Sequence, residues 1–255
     1  MRRRGVAQAG KNVPAVFVHG VPDTARVWRP LLDRLERKDA VVLSLPGFDA
    51  PEPPGFEATK EAYADWLVAE LEALDAPRDL VGHDWGAILV LRAASLRPDL
   101  VRCWVAGDGP IDSRYVWHET AQVWQTPEAG EQLMATMTEP MLAEGLMAAG
   151  VPEAYARKAA RSVDETMKRC ILKLYRSAVD VGNEWEPGLA QISSPGLLLW
   201  GANDPYAGIE SARRMAAHTG ARLVELDGCG HWWQLERPDD AAREIRRFWQ
   251  QVEGG

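Results

Sequence analysis

The sequence predicts an α/β fold: a mostly parallel, twisted sheet of six to seven strands, flanked by helices and carrying one helical insertion. Three observations lead to this prediction. Short apolar runs, typical of strands buried on both faces, alternate with stretches of helical spacing. Several of these runs end directly in glycine-containing loops. The alternation stops once, over residues 111–191, where only helical spacings occur. Such a pattern is typical of a parallel sheet covered by helices on both faces.

The predicted strands are short and rich in valine and leucine. In chain order they are residues 15–18, 41–45, 80–81, 101–106, 196–201 and 222–226. The predicted helices between them keep their apolar side chains on one face or, at 87–96, on all faces. They cover residues 25–36, 59–74, 87–96 and 239–252.

The helical stretch divides the chain into two predicted parts. Residues 1–110 and 192–255 form the core, and residues 111–191 form a helical cap. Ligands of open α/β sheets bind beyond the carboxyl ends of the strands, so we expect the cap to cover a ligand site there.

Composition excludes several classes of function. A net charge of -8 at pH 7 and a pI near 5.2 argue against a nucleic-acid-binding protein, which normally presents a basic face. No apolar run is long enough to span a membrane, and residues 1–5 are basic without the apolar stretch of a signal peptide. Cys103, Cys170 and Cys229 lie far apart, so we predict free thiols, no metal site and a cytoplasmic location.

The first motif that indicates chemistry is Gly82-His83-Asp84-Trp85-Gly86, between a predicted strand and an apolar helix. It has the form of a nucleophile elbow with Asp84 at the reactive position. The two glycines relieve crowding in the sharp turn, and the helix N-terminus favours an ionised carboxylate. A second motif, His19-Gly20-Val21-Pro22, follows the first strand. The backbone N–H groups of Val21 and Trp85 are therefore predicted to form an oxyanion hole.

A third motif, Gly228-Cys229-Gly230-His231, follows the last strand and predicts that His231 is the base. An acid must then orient this histidine. Asp204, after the strand at 196–201, is the first choice, and Asp108, after the preceding strand, is the alternative. Both keep the chain order nucleophile, acid, histidine. His19 and His83 flank tight turns and are expected to bond to the backbone, and His218 is expected at a helix end on the surface.

Together these motifs resemble the α/β-hydrolase superfamily over nearly the whole chain. The elbow is similar to that of the epoxide hydrolases and haloalkane dehalogenases, which commonly carry Gly-His-Asp-Trp-Gly. The resemblance implies that Asp84 attacks an electrophilic carbon to form an alkyl-enzyme ester, which water activated by His231 then hydrolyses. It implies no metal or organic cofactor. It also implies that the family's opening pair of antiparallel strands is shortened or partly absent, since only about a dozen residues precede the first predicted strand.

The resemblance does not decide between two leaving groups, the oxygen of an epoxide and a halide ion. Epoxide hydrolases protonate the departing oxygen with cap tyrosines; Tyr175, 29 positions before Asp204, matches one of them. The second is not clear: Tyr115 and Tyr155 are candidates, and Trp124 is a substitute. Haloalkane dehalogenases bind the halide with N–H donors, one of them often an Asn where this chain has Val21.

Trp85 and a cap tryptophan, Trp117 or Trp124, keep the dehalogenase alternative open. Fluoroacetate dehalogenases are less similar, because they carry Arg directly after the nucleophile, where this chain has Trp85.

The sequence therefore predicts hydrolysis of a small apolar epoxide to a vicinal diol, with a haloalkane dehalogenase as the alternative. The expected substrate-binding residues are Trp85, Trp124, Tyr115 and His118. Further apolar cap side chains are Trp117, Met134, Met137, Met141, Leu142 and Met147. A non-catalytic ligand receptor on the same fold is the rival from another class. A serine esterase is disfavoured, because no serine occupies the elbow. We expect a monomer or homodimer whose partners are small molecules, not nucleic acid or membrane.

Overall fold

The computed structural model describes residues 13–74 and 77–254. The expectations about a signal peptide and a shortened opening pair of strands fall on residues 1–12, outside the described part of the chain.

One sheet forms the centre of the described structure. Its strands are Ala15–Val18 (β1), Val41–Leu43 (β2), Arg78–His83 (β3), Val101–Gly107 (β4), Gly196–Gly201 (β5) and Arg222–Leu226 (β6). They lie in the order β2-β1-β3-β4-β5-β6, and every neighbouring pair is parallel. The predicted α/β fold with a parallel sheet of six to seven strands is thus confirmed.

Helices connect these strands. They are Arg29–Leu35 (α1), Lys60–Glu72 (α2), Trp85–Leu96 (α3), Glu119–Gln125 (α4), Ala129–Thr136 (α5), Glu139–Ala148 (α6), Glu153–Ser162 (α7), Glu165–Ser177 (α8), Val181–Trp185 (α9), Ile209–Thr219 (α10), Trp233–Glu236 (α11) and Pro238–Gly254 (α12). Short 3₁₀ helices occupy Ala25–Trp28, Pro98–Leu100 and Glu186–Gln191. The helix predicted at 25–36 is therefore divided, and α1 begins at Arg29 with Pro30 in its first turn, where proline is tolerated.

Alternate residues of the central strands supply two separate cores. In β1, Ala15 and Phe17 pack on the face covered by α1 and α12, whereas Val16 and Val18 pack on the face covered by α2 and α3. The same two-residue period holds in β4 and β5. Because both faces are buried, these strands are apolar almost throughout.

Residues 111–191 contain six helices in succession, α4 to α9, and contribute no strand to the sheet. Helix α9 and the 3₁₀ helix after it differ from the rest, since they pack beside α3, with Arg92 stacked 4.9 Å from the Trp185 ring. Within the described residues, no helix combines the length and apolar character needed to cross a membrane. Cys103, Cys170 and Cys229 are buried free thiols, as predicted.

Candidate active site

The turn between β3 and α3 holds Asp84 in a strained conformation, with φ of 53° and ψ of −123°. Its N–H donates to the Gly107 carbonyl oxygen at 2.9 Å, which fixes the turn against β4. A Cβ atom on Gly82 would overlap the backbone of Gly86, and one on Gly86 would overlap the carbonyl group of Val18. Glycine is therefore required on both sides of the turn, as the motif predicted. A non-glycine residue held at positive φ is typical of a functional position.

The loop after β1 approaches the Asp84 carboxylate directly. The Val21 N–H donates to Asp84 Oδ1 at 2.7 Å. The Trp85 N–H also hydrogen-bonds to this carboxylate and contributes to lowering its pKa. A Cβ atom on Gly20 would collide with the same carboxylate, which explains the glycine at that position. The two N–H groups of the predicted oxyanion hole thus lie together at Asp84; their part in catalysis stays a prediction.

His231 lies in the loop after β6 and connects two carboxylates. Its Nδ1 is 2.8 Å from Asp204 Oδ2, a hydrogen bond, and its Nε2 is 3.6 Å from Asp84 Oδ2. The second distance is longer than a hydrogen bond but short enough for a strong charge interaction. Asp204 is itself held in place, because its Oδ1 accepts the N–H groups of Tyr206 at 2.7 Å and Ala207 at 3.1 Å.

Asp108, the alternative acid, lies close by but does not bond to the histidine. Its Oδ1 accepts the Gly201 N–H at 3.0 Å, and its Oδ2 has no hydrogen-bond partner among the described residues. Burial and the charge of Asp204 raise the pKa of Asp108 well above its usual value. The geometry therefore favours Asp204 as the residue that orients His231, and Asp108 as a neighbour without a bond to the imidazole.

The charged forms of Asp84, His231 and Asp204 stabilise one another. Burial raises the pKa of Asp84, but the interaction with the nearby His231 outweighs burial, so the pKa stays below its usual value. Burial likewise opposes a charged His231, yet Asp204 and then Asp84 raise the imidazole pKa well above its usual value. At neutral pH the site is therefore an ionised Asp84, an imidazolium and an ionised Asp204.

A cavity of about 280 Å³ opens above Asp84 and His231. Its remaining walls come from helices α4, α5, α6 and α8 and from the loops after β1, β5 and β6. Four of the predicted apolar side chains line it: Met134, Met137, Met141 and Leu142. Two others of that set do not line it: Met147 packs against the core on the other face of the sheet, and Trp117 is stacked on Trp85.

Of the predicted aromatic contacts, Tyr175, Trp124 and His118 line the cavity. Tyr175 is 3% exposed, and its hydroxyl donates to no acceptor among the described residues. The Tyr175 ring packs edge-on against Trp124, with centroids 4.8 Å apart. His118 caps α4 by accepting the Ala121 N–H at 3.3 Å.

Two predicted substrate contacts do not line the cavity. The Tyr115 hydroxyl donates to the Tyr206 carbonyl oxygen at 3.0 Å, so it is already committed. The Trp85 side chain is fully buried behind Tyr175 and is stacked on Trp117, with centroids 6.0 Å apart. Local sequence could not reveal either orientation, because both depend on packing between elements distant in the chain.

Two further tyrosines, Tyr155 and Tyr206, differ in their position relative to this cavity. Tyr155, a candidate second donor, lies away from this cavity and lines a different one. The sequence analysis did not identify Tyr206. This residue lines the cavity above Asp84 and His231, which we call the active cavity, and its ring centroid is 5.1 Å from that of the His231 ring. Its position two residues after Asp204, in the same strand-end loop, is the signal that could have identified it.

The remaining histidines behave as the sequence predicted. His19 Nδ1 is 2.9 Å from the Gly20 carbonyl oxygen, and His83 Nε2 is 2.8 Å from that of His231. His218 lies exposed near the end of α10. His83, Asp108 and His231 come close enough to suggest a metal site. However, Gln234 approaches the other His83 nitrogen at 3.1 Å and Asp204 bonds to His231, so these imidazole nitrogens are already committed and the cluster does not fit a metal ion.

Comparisons with known proteins agree with this architecture. The chain is 27% identical to epoxide hydrolase A of Mycobacterium tuberculosis, over 96% of this chain and 94% of that protein. It is 23% identical to the (E)-2-((N-methylformamido)methylene)succinate hydrolase of Acinetobacter baylyi, over 94% of this chain and 92% of that protein. Among solved structures, the haloalkane dehalogenase DbeA of Bradyrhizobium elkani superposes with a TM-score of 0.80 at 22% identity, covering 96% of this chain and 92% of that one.

A sequence model of one family extends over almost all of the fold described above. It matches residues 15–244, from the first residue of β1 into the last helix, and so includes the elbow, the acid loop and the histidine loop. This chain therefore belongs to the alpha/beta hydrolase family.

Proposed function

We propose that this hydrolase opens a small apolar epoxide to a vicinal diol through a covalent ester on Asp84. One observation carries the proposal: Asp84, His231 and Asp204 contact one another in series at the base of an apolar cavity that is also lined by Tyr175, whose hydroxyl donates to no described acceptor. The similarity to epoxide hydrolase A over nearly the full length of both chains supports it.

The first step uses the two carboxylate oxygens differently. Oδ1 of Asp84 is held by the Val21 N–H, which leaves Oδ2 to attack an epoxide carbon. As that carbon–oxygen bond breaks, the departing oxygen becomes an alkoxide and takes the hydroxyl proton of Tyr175. Burial and the charge of Asp84 raise the pKa of Tyr175 well above its usual value, so the phenol is fully protonated at neutral pH. The departing alkoxide is a stronger base than a phenolate in the same surroundings, so it can take this proton.

The second step depends on a change of charge at His231. In the free enzyme both Asp204 and Asp84 favour the imidazolium. Formation of the ester removes the charge of Asp84, so the imidazole releases its proton more readily and becomes a base. Its Nε2 then takes a proton from water, which attacks the ester carbonyl carbon. The Val21 and Trp85 N–H groups stabilise the negative charge that develops on Oδ1. As this intermediate collapses, the imidazolium passes its new proton to the departing alkoxide oxygen and the diol is released. The remaining proton of the attacking water passes through solvent to the Tyr175 phenolate, which restores both the Asp84 carboxylate and the phenol.

Helices α4, α5, α6 and α8 act as a cap in this proposal. They supply Tyr175, Trp124 and most of the apolar wall, whereas the core supplies the nucleophile, the base and its acid. An apolar enclosure favours an apolar substrate and excludes bulk water, which strengthens the charge interactions at Asp84.

Isotope labelling tests the ester directly. The protein is allowed to turn over styrene oxide repeatedly in heavy-oxygen water, and the peptide that contains Asp84 is then analysed by mass spectrometry. We expect heavy oxygen in the Asp84 carboxylate, because water attacks the ester carbonyl carbon and leaves its oxygen there. Protein held in the same water without substrate serves as the control. Diol formation without label in that peptide would rule the ester out.

A haloalkane dehalogenase is the second candidate, and one observation favours it. The indole N–H groups of Trp85 and Trp124 are buried without a hydrogen-bond partner of normal geometry among the described residues. Both indoles pack against Tyr175, at 5.6 Å and 4.8 Å between ring centroids. Trp124 lines the cavity, so its unpaired N–H would suit a departing halide, since buried polar groups are normally paired; the Trp85 indole lies behind Tyr175, outside the cavity.

Replacing Tyr175 by phenylalanine separates the two candidates. For an epoxide hydrolase we expect kcat for styrene oxide to fall about a hundredfold or more, because a proton donor is lost. Tyr115→Phe is the matched control, since the Tyr115 hydroxyl is committed to the Tyr206 carbonyl oxygen and lies outside the cavity. Halide release from 1-bromobutane that survives Tyr175→Phe, with no diol formed by the unmodified protein, would establish the dehalogenase instead.

A further inference from the structure

A second cavity, larger than the first, lies beside the active site. Its volume is about 440 Å³, and it is enclosed by the 3₁₀ helix at Ala25–Trp28, α1, α6 and α7. Its apolar wall consists of Val27, Leu32, Val42, Leu146, Val151 and Leu235. A volume of this size falls within the range of small-molecule sites. Neither Asp84 nor His231 lines it, so the proposed reaction gives this cavity no role.

Two largely buried polar side chains line this cavity, and each has one oxygen atom without a hydrogen bond to a described residue. Asp23 is 5% exposed; its Oδ2 accepts the Trp232 indole N–H at 2.9 Å, but its Oδ1 accepts no hydrogen bond from a described residue. Thr24 is 6% exposed, and its hydroxyl forms no hydrogen bond within the described part of the chain. Both residues line the cavity, so a polar group of a ligand bound there can pair with these two oxygens.

The rim of the cavity carries three cations. Arg26 is paired with Asp49 at 2.9 Å, and Arg29 with Asp33 at 2.9 Å. Lys158, in contrast, has no carboxylate within 4.0 Å among residues 13–74 and 77–254, and its ammonium lies 6.0 Å from the Tyr155 ring. The rim therefore offers an unmatched positive charge, which favours an anionic group on the ligand and disfavours a cationic one.

The buried end of the cavity suits a hydroxyl group. Burial raises the pKa of Asp23 to about 7; the Trp232 N–H opposes the rise and the charge of Asp84 adds to it. A carboxyl group near half-protonation can either accept a hydrogen bond from a hydroxyl group or donate one to it. Thr24 can do the same from the adjacent position.

We propose that this second cavity binds a small amphipathic hydroxy acid, with its hydroxyl group on Asp23 and Thr24, its alkyl chain along the apolar wall and its carboxylate at Lys158. The site is separate from the active cavity. Only Leu146 lines both, and the Trp232 indole lies between Asp23 and the active cavity. The proposal does not depend on which electrophile the active site accepts.

Calorimetric titration with ω-hydroxydecanoate tests this site, because that molecule contains neither an epoxide nor a halide. We expect one molecule bound per chain. We further expect decanoate and decanol to bind about tenfold more weakly, since each lacks one of the two polar contacts. In Lys158→Glu the preference for ω-hydroxydecanoate over decanol should fall about threefold or more, as for loss of an exposed ion pair.

A pair of tryptophan substitutions locates the binding. Ala159 lines only the second cavity, from a partly exposed position on α7, and Thr120 lines only the active cavity, from an exposed position on α4. Ala159→Trp should abolish binding, whereas Thr120→Trp should leave it unchanged. The opposite result would place the molecule in the active cavity and overturn the proposal. Absence of binding to the unmodified protein at about millimolar concentration would overturn it as well.

Discussion

Two aspartates close to His231 have pKa values shifted in opposite directions, because their hydrogen-bond and charge partners differ. The charge and hydrogen bond of His231, with N–H donors from Tyr206 and Ala207, outweigh burial and hold the pKa of Asp204 below its usual value. Asp108 has one N–H donor, no bond to the imidazole, and a raised pKa. The sequence could not decide between them, because each directly follows a strand end and only their distances from the imidazole differ.

These states lead to different outcomes when each aspartate is replaced by asparagine. Asp204→Asn should lower kcat about a thousandfold or more, because it removes the charge that orients and stabilises the imidazolium. Asp108→Asn should change kcat less than about threefold, because Asp108 makes no bond to the imidazole, its raised pKa favours the uncharged form that Asn mimics, and Asn keeps an oxygen for the Gly201 N–H. Steady-state rates of diol formation for the two variants provide the measurement. A larger loss in Asp108→Asn would reverse the assignment of the acid.

At the scale of elements, the elbow shows which features a local pattern predicts well. The buried strand, the glycines and the apolar helix were all apparent in residues 80–96, so β3, α3 and the sharp turn at Asp84 were predicted. The direction of Tyr115 and the place of Tyr206 were not apparent, because they depend on how the segment after β4 packs on the loop after β5. Local spacing specifies an element and its buried face, but not its contacts with distant elements.

Substituting alanine for the elbow glycine tests the steric part of this account. A Cβ atom on Gly82 would lie 2.7 Å from the Ala87 Cα and 2.6 Å from the Gly86 carbonyl carbon. We expect Gly82→Ala to lower the free energy of unfolding by about 3 kcal/mol or to prevent folding. Gly145→Ala on α6 is the control, since its Cβ would meet no atom within 4 Å; there alanine should be neutral or stabilise by about 1 kcal/mol. Urea unfolding of both variants measures the difference. Equal stability would contradict the steric account.

At the scale of the whole molecule, the architecture was predictable and the cavities were not. Alternating strands and helices, together with the helical stretch at 111–191, predicted the sheet and the place of the additional helices. The second cavity arises from side chains of five separate regions of the chain, and no periodicity indicates it. The interior also contains an acid that the motifs did not single out, Asp23, and this acid affects the stability of the entire fold.

Asp23 should make the free energy of unfolding depend on pH. Its pKa is about 7 in the folded protein and 3.8 in the unfolded chain, so between these values the folded state binds more protons. The contribution of Asp23 to stability therefore falls as the pH rises from about 4 to about 7, and is constant above that range. Asp23→Asn does not titrate and retains an acceptor for the Trp232 N–H. Relative to the unmodified protein, the variant should gain up to about 4 kcal/mol between pH 4 and pH 8.

Urea unfolding at a series of pH values measures this difference between the two proteins. Other titrating groups, His231 among them, are present in both and cancel in the comparison. A stability difference that is independent of pH would show that Asp23 titrates alike in both states.

The distribution of the site along the chain has an evolutionary consequence. In the proposed function, the nucleophile, the base and its acid come from three loops anchored by the central and C-terminal strands. Tyr175 and Trp124, the groups proposed to contact the leaving atom, come from a single contiguous stretch between β4 and β5. Recombination that exchanges this one stretch would replace the residues that contact the leaving atom and would keep the proposed nucleophile, base and acid. A lineage could in this way move from one electrophile to another by one genetic event.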